Sequence, residues 1–313
     1  MKKFQLILAA FFFISALKIT KAEDSPFNFL RYVSDARAAS LAGCFVSMPN
    51  DASAIYYNPA AVYTVEEKKL SFTFLKHVLD INSGNASYMY DIPDHGKVTA
   101  FAGYTNYGTF DEADDSGNIT GAFGANDLVM GVSYTDRLDT NLYYGATLKY
   151  IYANIDVVST TAMAVDAGLF YEFDDDRTTL GLSMLNAGAQ LSKISNTTES
   201  IPLDIRLGMS HRLKGLPVLF NFSFHHLADE SDGVLDRFKS FAVGGEISLG
   251  DYIKVRLGYD NLVRTTTASD VDKGMTGISA GLGLKLEDFD LNYGASVYGA
   301  SATLHRFSVN YDL

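Results

Sequence analysis

The sequence predicts an all-β protein, a transmembrane antiparallel β-barrel of about 14 strands, with an N-terminal plug folded into its lumen. Three observations carry this. The chain ends on Phe307-Ser-Val-Asn-Tyr-Asp-Leu313, which alternates apolar and polar residues up to the terminus. Such a strand suits the closing strand of a barrel, whose side chains alternately face lipid and lumen. From Lys68 onward the same period-2 pattern recurs in segments of about ten residues, the length of a tilted membrane strand. The joins between segments then alternate between short and long.

The N-terminus has the pattern of a secretory signal over residues 1–22. Lys2 and Lys3 precede an apolar run from Phe4 to Leu17, and Thr20 and Ala22 sit at −3 and −1 of a cleavage site before Glu23. Leu41-Ala-Gly-Cys44 has the form of an acylation site, but Arg31, Asp35 and Arg37 stand where an apolar core would be required, so Cys44 is expected to be a small buried residue. As the lone cysteine it excludes an intramolecular disulfide. Removing the signal leaves 21 basic against 37 acidic residues, a net charge of −16 that argues against nucleic acid as a partner. No later stretch is apolar enough for a membrane helix, so a membrane-embedded form has to be a barrel. The 19 Tyr and 21 Phe suit strands and interfacial girdles.

Residues 23–67 break the pattern. Ala36-Arg-Ala-Ala-Ser-Leu-Ala42, Asn50-Asp-Ala-Ser53 and Asn58-Pro59 read as small-residue and turn segments, and Pro59 disfavours helix at Asn58. This stretch is expected to be the plug. Residues 68–313 form the barrel. Leu70, Phe72 and Phe74 mark the first strand, and the cleanest alternation is the fifth, Leu142 to Tyr152. Gly244 and Gly245 in the tenth allow a bend or bulge. Turn-like joins follow the even-numbered strands, as at Asp91–Gly96, Asp174–Asp176 and Glu287–Asp288. Longer polar joins follow odd ones: Gly108–Asn126, Gly188–Ile201, Ala228–Asp236 and Val263–Met275. Short turns on one rim and long loops on the other is the outer-membrane asymmetry.

Two sets of residues are candidates for function. Asp35, Arg37, Gly43, Asn50, Asp51, Asn58 and Pro59 carry the plug motif. Lys149, Asp166, Asp204, Arg206, Glu246, Lys254 and Arg256 lie out of phase with the apolar face and should point into the lumen, pairing with one another and with Asp35, Arg37 and Asp51, or lining a polar path. No catalytic constellation, metal site or cofactor is expected. His225 and His226 would face opposite sides of a strand, Asp111–Asn118 lacks the ligand spacing of a calcium loop, and no serine stands in a nucleophile elbow.

Phe29–Gly43 and Asn50–Ala60 resemble the PorV/PorQ family, fourteen-stranded relatives of the FadL barrel. The family's paired glycines are represented here by Ala42 and Gly43. Asn106–Phe110, Gly117-Asn118, Gly121–Phe123, Leu148–Tyr152 and Ala164–Gly168 are similar to the PorQ branch. The resemblance implies a part in type IX protein secretion and surface attachment of cargo, with PorZ-, PorU- and PorV-like proteins and outer-membrane lipid as partners. A FadL-like transporter of hydrophobic small molecules is the competing expectation.

Overall fold

The computed structural model describes residues 25–66, 69–77, 79–192, 198–231, 233, 235–267, 274–299 and 302–313, so the expected signal segment lies outside the described residues. Strands β1 (Lys69–Lys76), β2 (Asn82–Asp91), β3 (Lys97–Ala113), β4 (Ile119–Asp139), β5 (Leu142–Ile155), β6 (Val158–Glu172) and β7 (Thr178–Gln190) make one half of a barrel. The other half is β8 (Asp204–Arg212), β9 (Val218–Phe224), β10 (Phe241–Leu249), β11 (Ile253–Asp260), β12 (Ile278–Leu286), β13 (Phe289–Gly299) and β14 (Ala302–Asp312). Each pairs antiparallel with its sequence neighbours, and β1 closes on β14 with Phe72 opposite Val309 and Phe74 opposite Phe307. Closure gives every strand two partners, which is what a bilayer demands of a sheet.

The wall is inverted relative to a soluble sandwich. Leu148 is 53% exposed while its neighbour Lys149 is 7% exposed, and Phe72 and Thr73 show the same contrast at 51% and 8%. Apolar side chains therefore stand outward and polar ones inward, the alternation the sequence predicts for a lipid-facing barrel.

Residues 25–66 occupy the interior. A 3-10 turn at Asn28–Arg31 is followed by the short helix α1 (Ala36–Ser40), then 3-10 turns at Ala52–Tyr56 and Pro59–Thr64. The backbone of this segment bonds to inward side chains around the ring. The Ala36 N–H donates to Ser308 Oγ on β14 at 2.9 Å, Thr135 Oγ1 on β4 donates to the Pro59 carbonyl at 2.8 Å, and Thr179 Oγ1 on β7 to that of Ser47 at 2.6 Å. The protein's main apolar core is here. Leu41, Phe45, Met48, Ile55 and Val62 pack against inward Met89, Phe101, Tyr143 and Phe170. Small residues in the wall allow the close approach: a Cβ on Gly181 of β7 would run into the Val46 carbonyl, and one on Gly145 of β5 into Pro59.

Three local expectations are corrected. Gly108–Asn126 is not a long loop. β3 and β4 continue as a ribbon to a tight turn at 114–118, where Asp114 Oδ1 accepts from the backbone of Ser116 and Asn118. β10 keeps its register through Gly244 and Gly245, so neither makes a bulge, and Gly244 instead leaves room for Leu41. His225 and His226 lie past the end of β9, with their rings 5.0 Å apart, because a positive φ of 54° at His226 ends the strand's alternation.

Candidate functional site

The sequence-predicted polar residues meet in the lumen as three clusters. The largest is built on Arg37 of α1. Its Nε and Nη2 donate to the two carboxylate oxygens of Glu246 on β10, each at 2.8 Å, and Nη1 donates to Asp51 at 2.8 Å. Arg256 on β11 reaches the same Glu246 through Nε at 2.6 Å and Asn292 on β13 through Nη1 at 2.8 Å. Burial alone would lower the Arg37 pKa, but Glu246 and then Asp51 outweigh it and raise it, so the guanidinium is firmly charged. Bidentate geometry of this kind is what makes arginine suited to buried pairs.

Asp35 caps α1, its Oδ1 accepting from the Ala38 N–H at 2.9 Å. Burial, reinforced by the Asp51 charge, raises its pKa above the usual carboxylate range. Asp35 joins no ion pair among the described residues. Asp51 has a second task, capping the next turn through the Ser53 N–H at 2.8 Å.

Asn58 acts as a rivet between segment and wall. Its Nδ2 donates to the carbonyls of Val46 at 2.8 Å and Leu169 of β6 at 3.0 Å, while its Oδ1 accepts from the Ala60 N–H at 3.0 Å. Pro59 follows as the first residue of the turn, where its missing N–H costs nothing. Gly43 has φ of 76°, and so does its neighbour Ala42 at 55° adopt the left-handed region. Asn50, with φ of 53°, is exposed and ties its backbone N–H to Thr64 Oγ1 at 2.7 Å. Cys44 is buried as expected, and burial pushes its thiol up to about 12.

The second cluster is Lys149 on β5, which pairs with Asp166 of β6 at 2.7 Å and donates to Asn186 Oδ1 on β7 at 2.8 Å. Asp166 also accepts the Asn186 N–H at 2.8 Å, and here β7 carries an extra residue relative to β6. That bulge has no signature in the period-2 pattern beyond a polar Asn in phase with apolar neighbours.

The third cluster joins Asp204 and Arg206 of β8 at 2.6 Å. The His226 N–H donates to Asp204 Oδ1 at 2.7 Å, and Arg31 holds Asp229 through two hydrogen bonds of 2.7 and 2.5 Å. Burial lowers the His226 pKa to about 4 against the opposing pull of Asp204, so the ring is neutral near pH 7. Arg31 and Asp229 were not singled out by the sequence; separated by 198 residues and lacking a motif, they offered no local signal.

Lys254 alone of the seven inward candidates takes no ion pair among the described residues. Between the segment and the wall there is one cavity of about 60 Å³, lined by Phe29, Tyr56, Phe101, Val129, Lys149 and Arg206 among others. A second, of about 80 Å³, is polar and includes Lys254. Among the described residues no three His, Cys, Asp or Glu side chains converge as a metal site.

A closed, outwardly apolar barrel of fourteen antiparallel strands with a buried ionic interior defines a transmembrane β-barrel. The family model described as Type IX secretion system protein PorV matches residues 17–210, and the chain belongs to that family. Among solved structures it is similar to the Pseudomonas putida toluene transporter TodX, at 11% identity and a TM-score of 0.57, over 88% of this chain and 96% of that one. The Ralstonia pickettii toluene transporter TbuX gives 12% identity and 0.56, over 89% and 98%. At such identities the likeness concerns the fold. No curated protein matches the chain.

Proposed function

We propose that the protein is a non-enzymatic outer-membrane component of type IX protein secretion and cargo surface attachment, a PorQ-like scaffold. The family match is the observation that carries this reading. The lumen supports it. Residues 25–66 act as a plug, fixed to the wall by the Arg37, Asn58 and Thr135 contacts, and the cavities described between them are of about 60 and 80 Å³. Each is well below the roughly 150 Å³ of an apolar cavity able to hold benzene. In this reading the chain presents surfaces to partners and passes nothing through its lumen. The short-turn rim faces the periplasm and the β3–β4 ribbon the exterior.

Transport of hydrophobic small molecules is the second reading, favoured by the fold shared with TodX and TbuX, and it requires the plug to move. Affinity capture of the tagged protein from native outer membranes, followed by mass spectrometry, separates the two. Recovery of PorZ-, PorU- or PorV-like proteins supports the scaffold. A solitary barrel carrying a co-purified hydrophobe overturns it.

A further inference from the structure

Ion pairs surround the polar 80 Å³ cavity and leave one lysine out. Arg37 and Arg256 share Glu246, and Arg37 also takes Asp51. At the edge of the cavity Lys69, near the start of β1, pairs with Asp312 at 3.0 Å, and Lys285 stands opposite Asp290 in the β12–β13 register. These side chains gather at or beside the cavity, with the carboxylate of Asp35 close enough to act on Arg256. Lys254 lines the same cavity half-buried and takes part in no ion pair among the described residues. Lysine is seldom removed from water without a partner, because desolvating an unpaired ammonium is costly.

The surroundings are preorganised to receive a negative charge. Gly283 of β12 lies flat against the Arg256 guanidinium, where any Cβ would press on Nη1 and Nη2. Asn292 and Glu246 hold that guanidinium from two sides. The cavity opens beside the short-turn rim, since Lys285 is one residue from the end of β12 and Lys69 begins β1.

We propose that this cavity is a binding site for a small oxyanion, of carboxylate or phosphate size, held by Lys254 with Arg37 and Arg256 at the periplasmic mouth of the lumen. The volume admits one such group. Its location gives it access to an acidic side chain or chain terminus of a periplasmic protein, or to a phosphate group, and the two sources share the same recognition chemistry. The site is independent of whether the barrel serves secretion or transport.

The test uses the purified full-length protein in detergent, titrated calorimetrically with acetate and, separately, inorganic phosphate at an ionic strength fixed with chloride. One saturable site is expected for at least one anion. Acetate assigns the site to a carboxylate, and phosphate to a phosphate group. Lys254→Met should weaken binding at least tenfold with an unchanged thermal unfolding midpoint, and Lys254→Arg should retain it. Should Lys254→Met fail to fold, Lys254→Gln takes its place in the comparison. Absence of saturable binding for both anions, or equal binding by wild type and the neutral variant, overturns the proposal.

Discussion

Arg37 and Glu246 are 209 residues apart in sequence and meet through two parallel hydrogen bonds of 2.8 Å, buried between the N-terminal segment and β10. Removing Arg37 strands Asp51 and leaves Glu246 to Arg256 alone, and removing Glu246 strands that Arg256 contact; a buried charge left without its partner costs about 3–5 kcal/mol. Arg37→Ala and Glu246→Ala should each destabilise the folded barrel by that order, measured as a lower midpoint of denaturant unfolding in detergent. Arg37→Lys should recover only part of the loss, because an ammonium cannot match both carboxylate oxygens. A double variant whose loss equals the sum of the single losses would show that the two residues are not coupled.

Ala42 has φ of 55°, a conformation that a Cβ makes unfavourable. Ala42→Gly relieves that strain, worth roughly 1–2 kcal/mol, and gives back part of it as unfolded-chain entropy. A net gain of about 0.5–1 kcal/mol is expected in the same unfolding measurement. A loss of stability would mean that the Ala42 methyl makes packing contacts worth more than the strain.

The alternation along single strands made the barrel legible, because outward and inward residues differ in kind at every step: Leu148 with Lys149, Phe72 with Thr73. The inward placement of Lys149, Asp166, Asp204, Arg206, Glu246 and Arg256 follows from the same phase. What the sequence could not supply was the partner of each charge. The pairing of Arg37 with Glu246, or Arg31 with Asp229, depends on how the segment lies in the lumen, and no local pattern encodes that. The wall glycines hide a similar relation. Gly181 and Gly244 look like strand weaknesses in sequence, yet each is the socket for one residue of the segment. The ribbon over 107–124 is masked in the sequence because its polar turn residues resemble a loop while its backbone stays paired, with Phe110 opposite Phe123.

His226 sets a pH dependence. Its folded pKa near 4 lies below the usual value of about 6.5, so between those limits the unfolded chain takes up a proton that the folded chain refuses. Stability is complete above about pH 6.5 and falls as the pH drops towards 4, by an amount on the order of 3 kcal/mol. His77, also lowered to about 4 by burial, adds to the slope in the same direction. His226→Gln should flatten, without abolishing, the fall in unfolding midpoint between pH 7 and pH 4. An unchanged slope would show that the ring is protonated to the same degree in both states.

Cys44 reports on the seating of the N-terminal segment. The thiol is buried, pushed up to about 12, with its sulfur 3.5 Å from Ser223 Oγ, so in the folded protein it should resist maleimide at pH 7 and react once denatured. Gly181→Val places a side chain where the Val46 carbonyl now rests against β7, two residues from Cys44. The strand itself can accept valine, since β-branched residues favour strands. The variant should therefore keep its heat-modifiable barrel while Cys44 becomes reactive and ion conductance in planar bilayers rises. Gly245→Ala, where a Cβ would meet open space, should change neither. If Gly181→Val left both labelling and conductance at the wild-type level, close contact between Val46 and β7 would not be what seats the segment, and the remaining contacts, those of Arg37, Asn58 and Thr135 among them, would have to close the lumen.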